Sequence, residues 1–286
     1  MRRLLALVVV LLVLAWLLIP PARALELVYL PGGGGPTASG GLAVQSITFG
    51  ATGGAVLHGW FVPAAHRPPA IVLVPGFKAA RGTMVPYARI LHASGYAVLL
   101  YDSRGMGQSG GHFSVGLHEV DDVLGALRWL RGRGLQREGL LGVSLGAGDA
   151  IVAAARDPHV RATVADSPYP DQRRTVDRLD ALDGIPLAPL GPWTVDQLLG
   201  SRLTSFSPLR VARQISPRAL LLIHARFDAN PTTPLVGVQA LYHACRGPCF
   251  LWLAPRGVHA GALAAQPTEY QRRVLAFFRR YLGAAR

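Results

Sequence analysis

A doubly wound, mostly parallel α/β sheet with a small helical cap is the fold this sequence predicts, and three observations carry the prediction. Short apolar runs alternate with helical stretches along most of the chain. Gly142-Val143-Ser144-Leu145-Gly146 lies between one such run and one such helix, so a serine stands at a strand–helix turn. Between Pro168 and Ser207 the alternation breaks, with four prolines and no strand pattern, which reads as an insertion over the strand ends.

The elements follow in order. Arg2-Arg3 precedes sixteen apolar residues, 4–19, and then come Pro20-Pro21 and Ala22-Arg23-Ala24. A positive start, an apolar stretch, a helix-breaking proline pair and small residues before a cut after Ala24 describe a secretory signal over residues 1–24. The stretch approaches the length of a membrane span, so an uncleaved anchor through residues 4–19 is the alternative. Either way the main domain is exported, to a periplasmic or extracellular place. Residues 25–41, rich in Gly and Pro from position 31, form a linker to a domain over 42–286.

That domain opens with a strand pair at 44–49 and 55–62, joined by a glycine-rich turn. Strand 71–74, helix 86–93, strand 97–101 and helix 119–130 come next, the last with Val120, Val123, Leu124, Leu127 and Leu130 at helical spacing. The run Leu140-Leu141 leads into the serine turn and helix 147–155, then strand 162–165. The insertion 168–207 holds one short helical stretch, 195–199, and reads as a partly helical cap. Strand 219–223, helix 235–243, strand 250–253 and helix 269–282 complete the pattern. A site in such a sheet belongs at the carboxyl ends of its strands.

With 286 residues, half of them apolar, the chain fits one α/β domain after a short N-terminal segment and excludes general disorder. The net charge of +13 is carried almost wholly by arginine, since Lys78 is the only lysine. The arginines are scattered without a basic arm, so no nucleic-acid partner is expected. Arg272, Arg273, Arg279 and Arg280 read as the solvated face of a helix whose other face is Val274, Phe277, Phe278 and Tyr281. Contact of that face with anionic lipid headgroups is the alternative. Cys245 and Cys249 suit a local disulfide in an oxidising compartment, two buried thiols being the alternative. No metal-ligand spacing occurs, and the chemistry below needs neither metal nor organic cofactor.

A serine hydroxyl is a weak nucleophile until a base takes its proton and an acid orients that base. In folds with this serine turn the chain order is Ser, then Asp or Glu, then His. Asp228 follows strand 219–223 and His259 follows strand 250–253, so both reach the edge where Ser144 stands. Asp166 is the rival acid, at the end of strand 162–165. Asp228 is preferred because its strand immediately precedes the histidine's, while Asp166-Ser167-Pro168 reads as the tie at the start of the cap. For the oxyanion, Leu145 N–H follows the serine at a helix start, and Phe77 N–H follows strand 71–74, where Pro75 has no donor. Lys78 reads as an exposed loop lysine, with a role toward an anionic substrate as the alternative.

His58-Gly59-Trp60-Phe61-Val62-Pro63, Pro75-Gly76-Phe77, the run from Tyr101 to Gly110, the serine turn, and Ser207-Pro208-Leu209 before Asp228 together carry a resemblance. Over about residues 42–284 the chain resembles α/β-hydrolases. More narrowly, it is similar to exported serine hydrolases near the prolyl-oligopeptidase and dienelactone-hydrolase branches. In the Tyr101 run, Asp102 and Arg104 are suited to structural pairing rather than catalysis. Two positions depart from the family pattern: Pro75 stands where a histidine that steadies the oxyanion loop is usual, and Ala225 where glycine is usual.

The resemblance implies cleavage of an ester or thioester through an acyl-enzyme on Ser144, acting on a small acyl-ester or peptide-like substrate. A serine peptidase or amidase, a haloperoxidase-like or C–C-bond hydrolase, and a non-catalytic binding protein of the same fold are the alternatives. Only some twenty residues separate Ala24 from the first strand, too few for the large N-terminal propeller of prolyl oligopeptidases. The esterase reading is therefore placed ahead of the peptidase reading.

Overall fold

The computed structural model describes residues 2–29, 38–65, 68–173, 175, 190–203 and 206–283. Its eight strands are β1 (Gln45–Gly50), β2 (Val56–Val62), β3 (Ala70–Val74), β4 (Ala97–Tyr101), β5 (Glu138–Val143), β6 (Val160–Asp166), β7 (Ala219–Ala225) and β8 (Cys249–Ala254). They form one sheet in the order β1-β2-β4-β3-β5-β6-β7-β8. Only β2 runs against its neighbours β1 and β4, and every pair from β4 to β8 is parallel. The central strands are buried along their whole length, which is why 71–74 and 97–101 read as unbroken apolar runs rather than alternating ones.

The described helices are α1 (Arg2–Tyr29), α2 (Val85–Ala93), α3 (Glu119–Arg131), α4 (Leu145–Arg156), α5 (Leu190–Leu199), α6 (Leu235–Ala244) and α7 (Pro267–Leu282), besides shorter turns. Val120, Leu127 and Ile151 from α3 and α4 fill the core on one face of the sheet. Ala88, Leu91, Val274 and Phe278 from α2 and α7 fill the other. The fold is thus the doubly wound α/β sheet that the sequence predicts. From β3 the chain steps outward to β4, whereas from β5 it steps the opposite way to β6. The crevice at this reversal lies beyond the carboxyl ends of β3 and β5, where doubly wound sheets take their ligands.

Local chemistry accounts for several turns. Arg104 lies buried against Asp122 of α3, its Nε 3.1 Å from Oδ1. Asp102 accepts the backbone N–H groups of Arg81 at 2.9 Å and Gln108 at 3.0 Å. Asp102 and Arg104 are thus structural, each with its own partner. Cys245 and Cys249 are disulfide-bonded between α6 and β8. On α7, Glu269 pairs with Arg272 and Arg273, both at 2.6 Å, on the solvated face.

At the N-terminus the proline pair does not break the helix. Helix α1 continues through Pro20-Pro21 to Tyr29, so residues 25–29 are helical rather than linker. Proline's fixed φ suits a helix; what an interior proline costs is a hydrogen-bond donor and a clash of its ring with the carbonyl four residues back. Tertiary packing supplies the compensation: Ala24 and Val28 are buried, and α1 lies against α5. The rest of the linker up to residue 37 is outside the described residues. In the insertion, α5 begins at Leu190, five residues before the expected start at 195. Pro192 falls in its first turn, where a missing N–H forfeits no intrahelical bond. Residues 174, 176–189, 204 and 205 of the expected cap are outside the described residues.

Candidate active site

β5 ends at Val143 and α4 begins at Leu145, so Ser144 makes the whole turn, with φ 56° and ψ −118°. An L-residue with positive φ is strained and persists only where its surroundings impose it. The two glycines do the imposing. A Cβ on Gly142 would overlap the Gly146 carbonyl, and one on Gly146 would overlap the Val74 and Pro75 carbonyls at the end of β3. Only glycine lets β5, the turn and α4 close this tightly against β3.

Ser144 Oγ lies 2.8 Å from His259 Nε2, and His259 Nδ1 lies 2.9 Å from Asp228 Oδ2. The structure therefore brings the three residues together as one hydrogen-bonded chain, from loops after β5, β7 and β8. A carboxylate can only accept, so Nδ1 carries the proton and Nε2 is left free to accept the serine hydroxyl. The Asp228 carboxylate is fully buried, and its other oxygen accepts the Asn230 N–H at 2.8 Å. Behind it, His224 is buried, with Nε2 3.9 Å from Asp228 Oδ2. Burial pushes the His224 pKa down, so a neutral ring stands there.

Asp166 does not touch the histidine ring. Its backbone carbonyl accepts the Ser144 N–H at 2.8 Å, and its Oδ1 accepts the Ser167 hydroxyl at 3.0 Å. Burial raises its pKa to about 6, against the hydrogen bond from Ser167. Ser167 Oγ also accepts the Ala260 N–H at 3.2 Å, and so ties down the loop that presents His259.

On the other side of Ser144, Gly76 is so close that a Cβ there would stand 3.3 Å from the Val143 carbonyl. Phe77 and Leu145 both line a cavity of about 580 Å³ that opens on Ser144 and His259. Among the described residues no backbone acceptor takes the Phe77 N–H, and the Leu145 N–H is one of the unpaired donors of a helix start. The Phe77 ring packs edge-on against Phe113 at 5.1 Å, which steadies the loop where a histidine is absent. Lys78 Nζ donates to the Glu26 carbonyl of α1 at 3.1 Å.

Sequence reasoning missed Thr233, whose Oγ1 lies 3.0 Å from His259 Nδ1, and the cavity residues Tyr169 and Gln172. Thr233 had a faint signal, since it sits in the turn that follows Asp228. Tyr169 and Gln172 belong to the insertion, where no pattern marks them.

Comparison with known proteins bears on the family and the fold. The family model for X-Pro dipeptidyl-peptidase (S15 family) matches residues 57–213. The uncharacterized protein YqkD of Bacillus subtilis is 30% identical over 232 residues, covering 77% of this chain and 74% of that protein. A polyketide transferase of a Penicillium species is 30% identical over 159 residues, 49% of this chain and 54% of that protein. Among solved structures, an esterase of Pyrococcus furiosus shares the fold with a TM-score of 0.74 at 24% identity, over 88% of this chain and 99% of that one.

Proposed function

The chain belongs to the X-Pro dipeptidyl-peptidase (S15) family and is a serine hydrolase with the α/β-hydrolase fold; from that premise we propose that it cleaves a carboxylic ester or thioester through an acyl-enzyme on Ser144. The observation that carries the reading is the continuous chain Ser144–His259–Asp228, at 2.8 and 2.9 Å, opening on one cavity.

In this reading His259 Nε2 takes the serine proton as Oγ attacks the carbonyl carbon. The imidazolium so formed faces the buried Asp228 carboxylate, which holds the ring in place. Negative charge gathers on the carbonyl oxygen, and the N–H groups of Phe77 and Leu145 receive it, each worth about 3 kcal/mol. His259 then returns the proton to the departing oxygen or sulfur. Water, activated by the same nitrogen, releases the acid and restores Ser144. Phe77, Phe227 and Val258 are exposed large apolar residues, the latter two immediately before Asp228 and His259. Phe77, Val115 and Leu145 line the cavity, and an apolar acyl chain suits that side of it. Cleavage of an amide or peptide is the second reading, favoured by the family's peptidase description.

The N-terminal helix belongs to the same proposal. Residues 4–14 and 16–19 of α1 are exposed and apolar, whereas Ala24 and Val28 are packed into the domain. We place α1 across a membrane as a retained anchor, with Arg2-Arg3 on the cytoplasmic side and the hydrolase domain outside. The disulfide fits that exported side.

A panel of para-nitrophenyl esters, thioesters and peptide anilides, run with the parent and Ser144→Ala, tests the reaction. Ester turnover that vanishes in the variant supports the first reading, and anilide turnover exceeding it supports the second. Ester turnover that survives Ser144→Ala contradicts both.

A further inference from the structure

Gln172 is fully buried, yet among the described residues neither its Nε2 nor its Oε1 has a hydrogen-bond partner. It lines the same cavity as Ser144 and His259. Its backbone is pinned, the N–H donating to the Phe206 carbonyl at 3.3 Å, so the side chain is held rather than trailing from a loose loop. Buried side-chain amides are almost always satisfied, and one left idle in both its donor and its acceptor calls for an explanation.

The surroundings supply one. Beside Gln172, the Tyr169 hydroxyl donates to Asp149 Oδ1 at 3.1 Å. Facing them is Gly116, with φ +94°, where a side chain would stand 3.0 Å from the Tyr169 hydroxyl and 3.7 Å from Gln172 Cδ. Glycine therefore lets the backbone approach this polar corner more closely than a side chain would allow. Phe77, Val115 and Leu145 give the wall near the serine an apolar side, and Asn230, Thr232 and Thr233 a polar one. Thr233 faces His259, and Asn230 Oδ1 accepts from Thr232. Asp149 Oδ1 already accepts the Tyr169 hydroxyl, and burial pushes the pKa of this carboxyl up.

We propose that Gln172 is a substrate-recognition residue whose side-chain amide pairs, donor to acceptor and acceptor to donor, with a neutral carboxamide or peptide group carried by the acyl substrate. The assignment rests on the reading of Ser144 as nucleophile. It names what that reading leaves open, the polar feature that the cavity selects in its substrate. A site built to hydrogen-bond a substrate group discriminates strongly against the analogue that lacks it, because its own polar atoms are then left unpaired.

The test compares para-nitrophenyl esters of N-acetylglycine and of isocaproic acid, which have the same shape and differ by one amide. The parent is expected to favour the amide ester in kcat/KM, and Gln172→Leu to lower that preference at least tenfold. Fluorophosphonate labelling of Ser144 in the variant reports that the nucleophile is still assembled. An unchanged preference in a labelled, folded Gln172→Leu protein overturns the proposal. Gln172→Met gives a second readout: removing an unpaired buried amide should raise Tm, whereas a purely structural role would lower it. Binding of N-acetylglycine and isocaproate to Ser144→Ala, measured by calorimetry, separates the two claims because it needs no turnover. Preference for N-acetylglycine there, abolished by adding Gln172→Leu, supports the assignment even if Ser144 is not the nucleophile. Equal binding of both acids overturns the assignment and leaves the reading of Ser144 untouched.

Discussion

Thr233 Oγ1 and Asp228 Oδ2 face the same nitrogen of His259, at 3.0 and 2.9 Å. The Nδ1–H is shared between them, and the Thr233 hydroxyl points its own proton toward Asp228 Oδ2 at 3.4 Å. Thr233 therefore helps to hold the ring without being able to replace the carboxylate. Thr233→Val is expected to lower kcat/KM about tenfold, the worth of one hydrogen bond. Asp228→Asn should cost about ten-thousandfold, since it disturbs the tautomer itself. Steady-state kinetics on one ester checks both, and equal losses would remove the distinction.

Gly146 meets the Val74 and Pro75 carbonyls with no room for a methyl group. Gly146→Ala must separate α4 from β3, and overpacking against backbone cannot be relieved by a rotamer change. A loss of about 3 kcal/mol is expected, at the upper end of overpacking costs. Urea denaturation of parent and variant gives the number. A cost within about 0.5 kcal/mol, typical of a neutral surface change, would mean the turn is looser than described.

Asp166 supplies a pH signature. Its pKa is raised by burial from 3.8 to about 6, so the folded state favours the protonated acid. Stability from this group is therefore full below about pH 4 and lost as pH rises through about 6. A side-chain amide mimics the protonated acid at every pH, so Asp166→Asn should gain on the parent as pH rises. The gain between about pH 4 and pH 8 is about 3 kcal/mol, two pKa units at about 1.36 kcal/mol each. Denaturation midpoints at the two pH values measure it, and a gain confined to the acid end would reverse the sign.

Helix α1 ends inside the domain, with Ala24 and Val28 packed where a signal peptidase would cut. The full chain is expected to sediment with membranes and to retain its N-terminal peptide by mass spectrometry. Removing residues 1–29 should release it and lower Tm by uncovering the apolar contact with α5. A mature soluble protein beginning after Ala24 would contradict the anchor.

Most of the sheet was legible because its central strands are buried on both faces, and burial turns them into plain apolar runs. Ser144 was legible because its turn needs glycine on both sides. Asp228 and His259 stand just past strands 219–223 and 250–253, so order along the chain placed them on one edge. Thr233 and Gln172 were not legible, since what singles them out is a contact and the lack of one, neither of which leaves a periodic trace. The helix through Pro20-Pro21 escaped for a related reason. Local propensity argues for a break, and the packing of Ala24 and Val28 near α5, distant in sequence, overrides it.

The central claim is that Ser144 is an activated nucleophile. Labelling of the full chain by a fluorophosphonate, with the modified peptide identified by mass spectrometry, tests it most directly. The account predicts one adduct, on Ser144, absent from Ser144→Ala and strongly slowed in His259→Ala. A folded parent that takes no label, or takes it on another residue, would contradict the account.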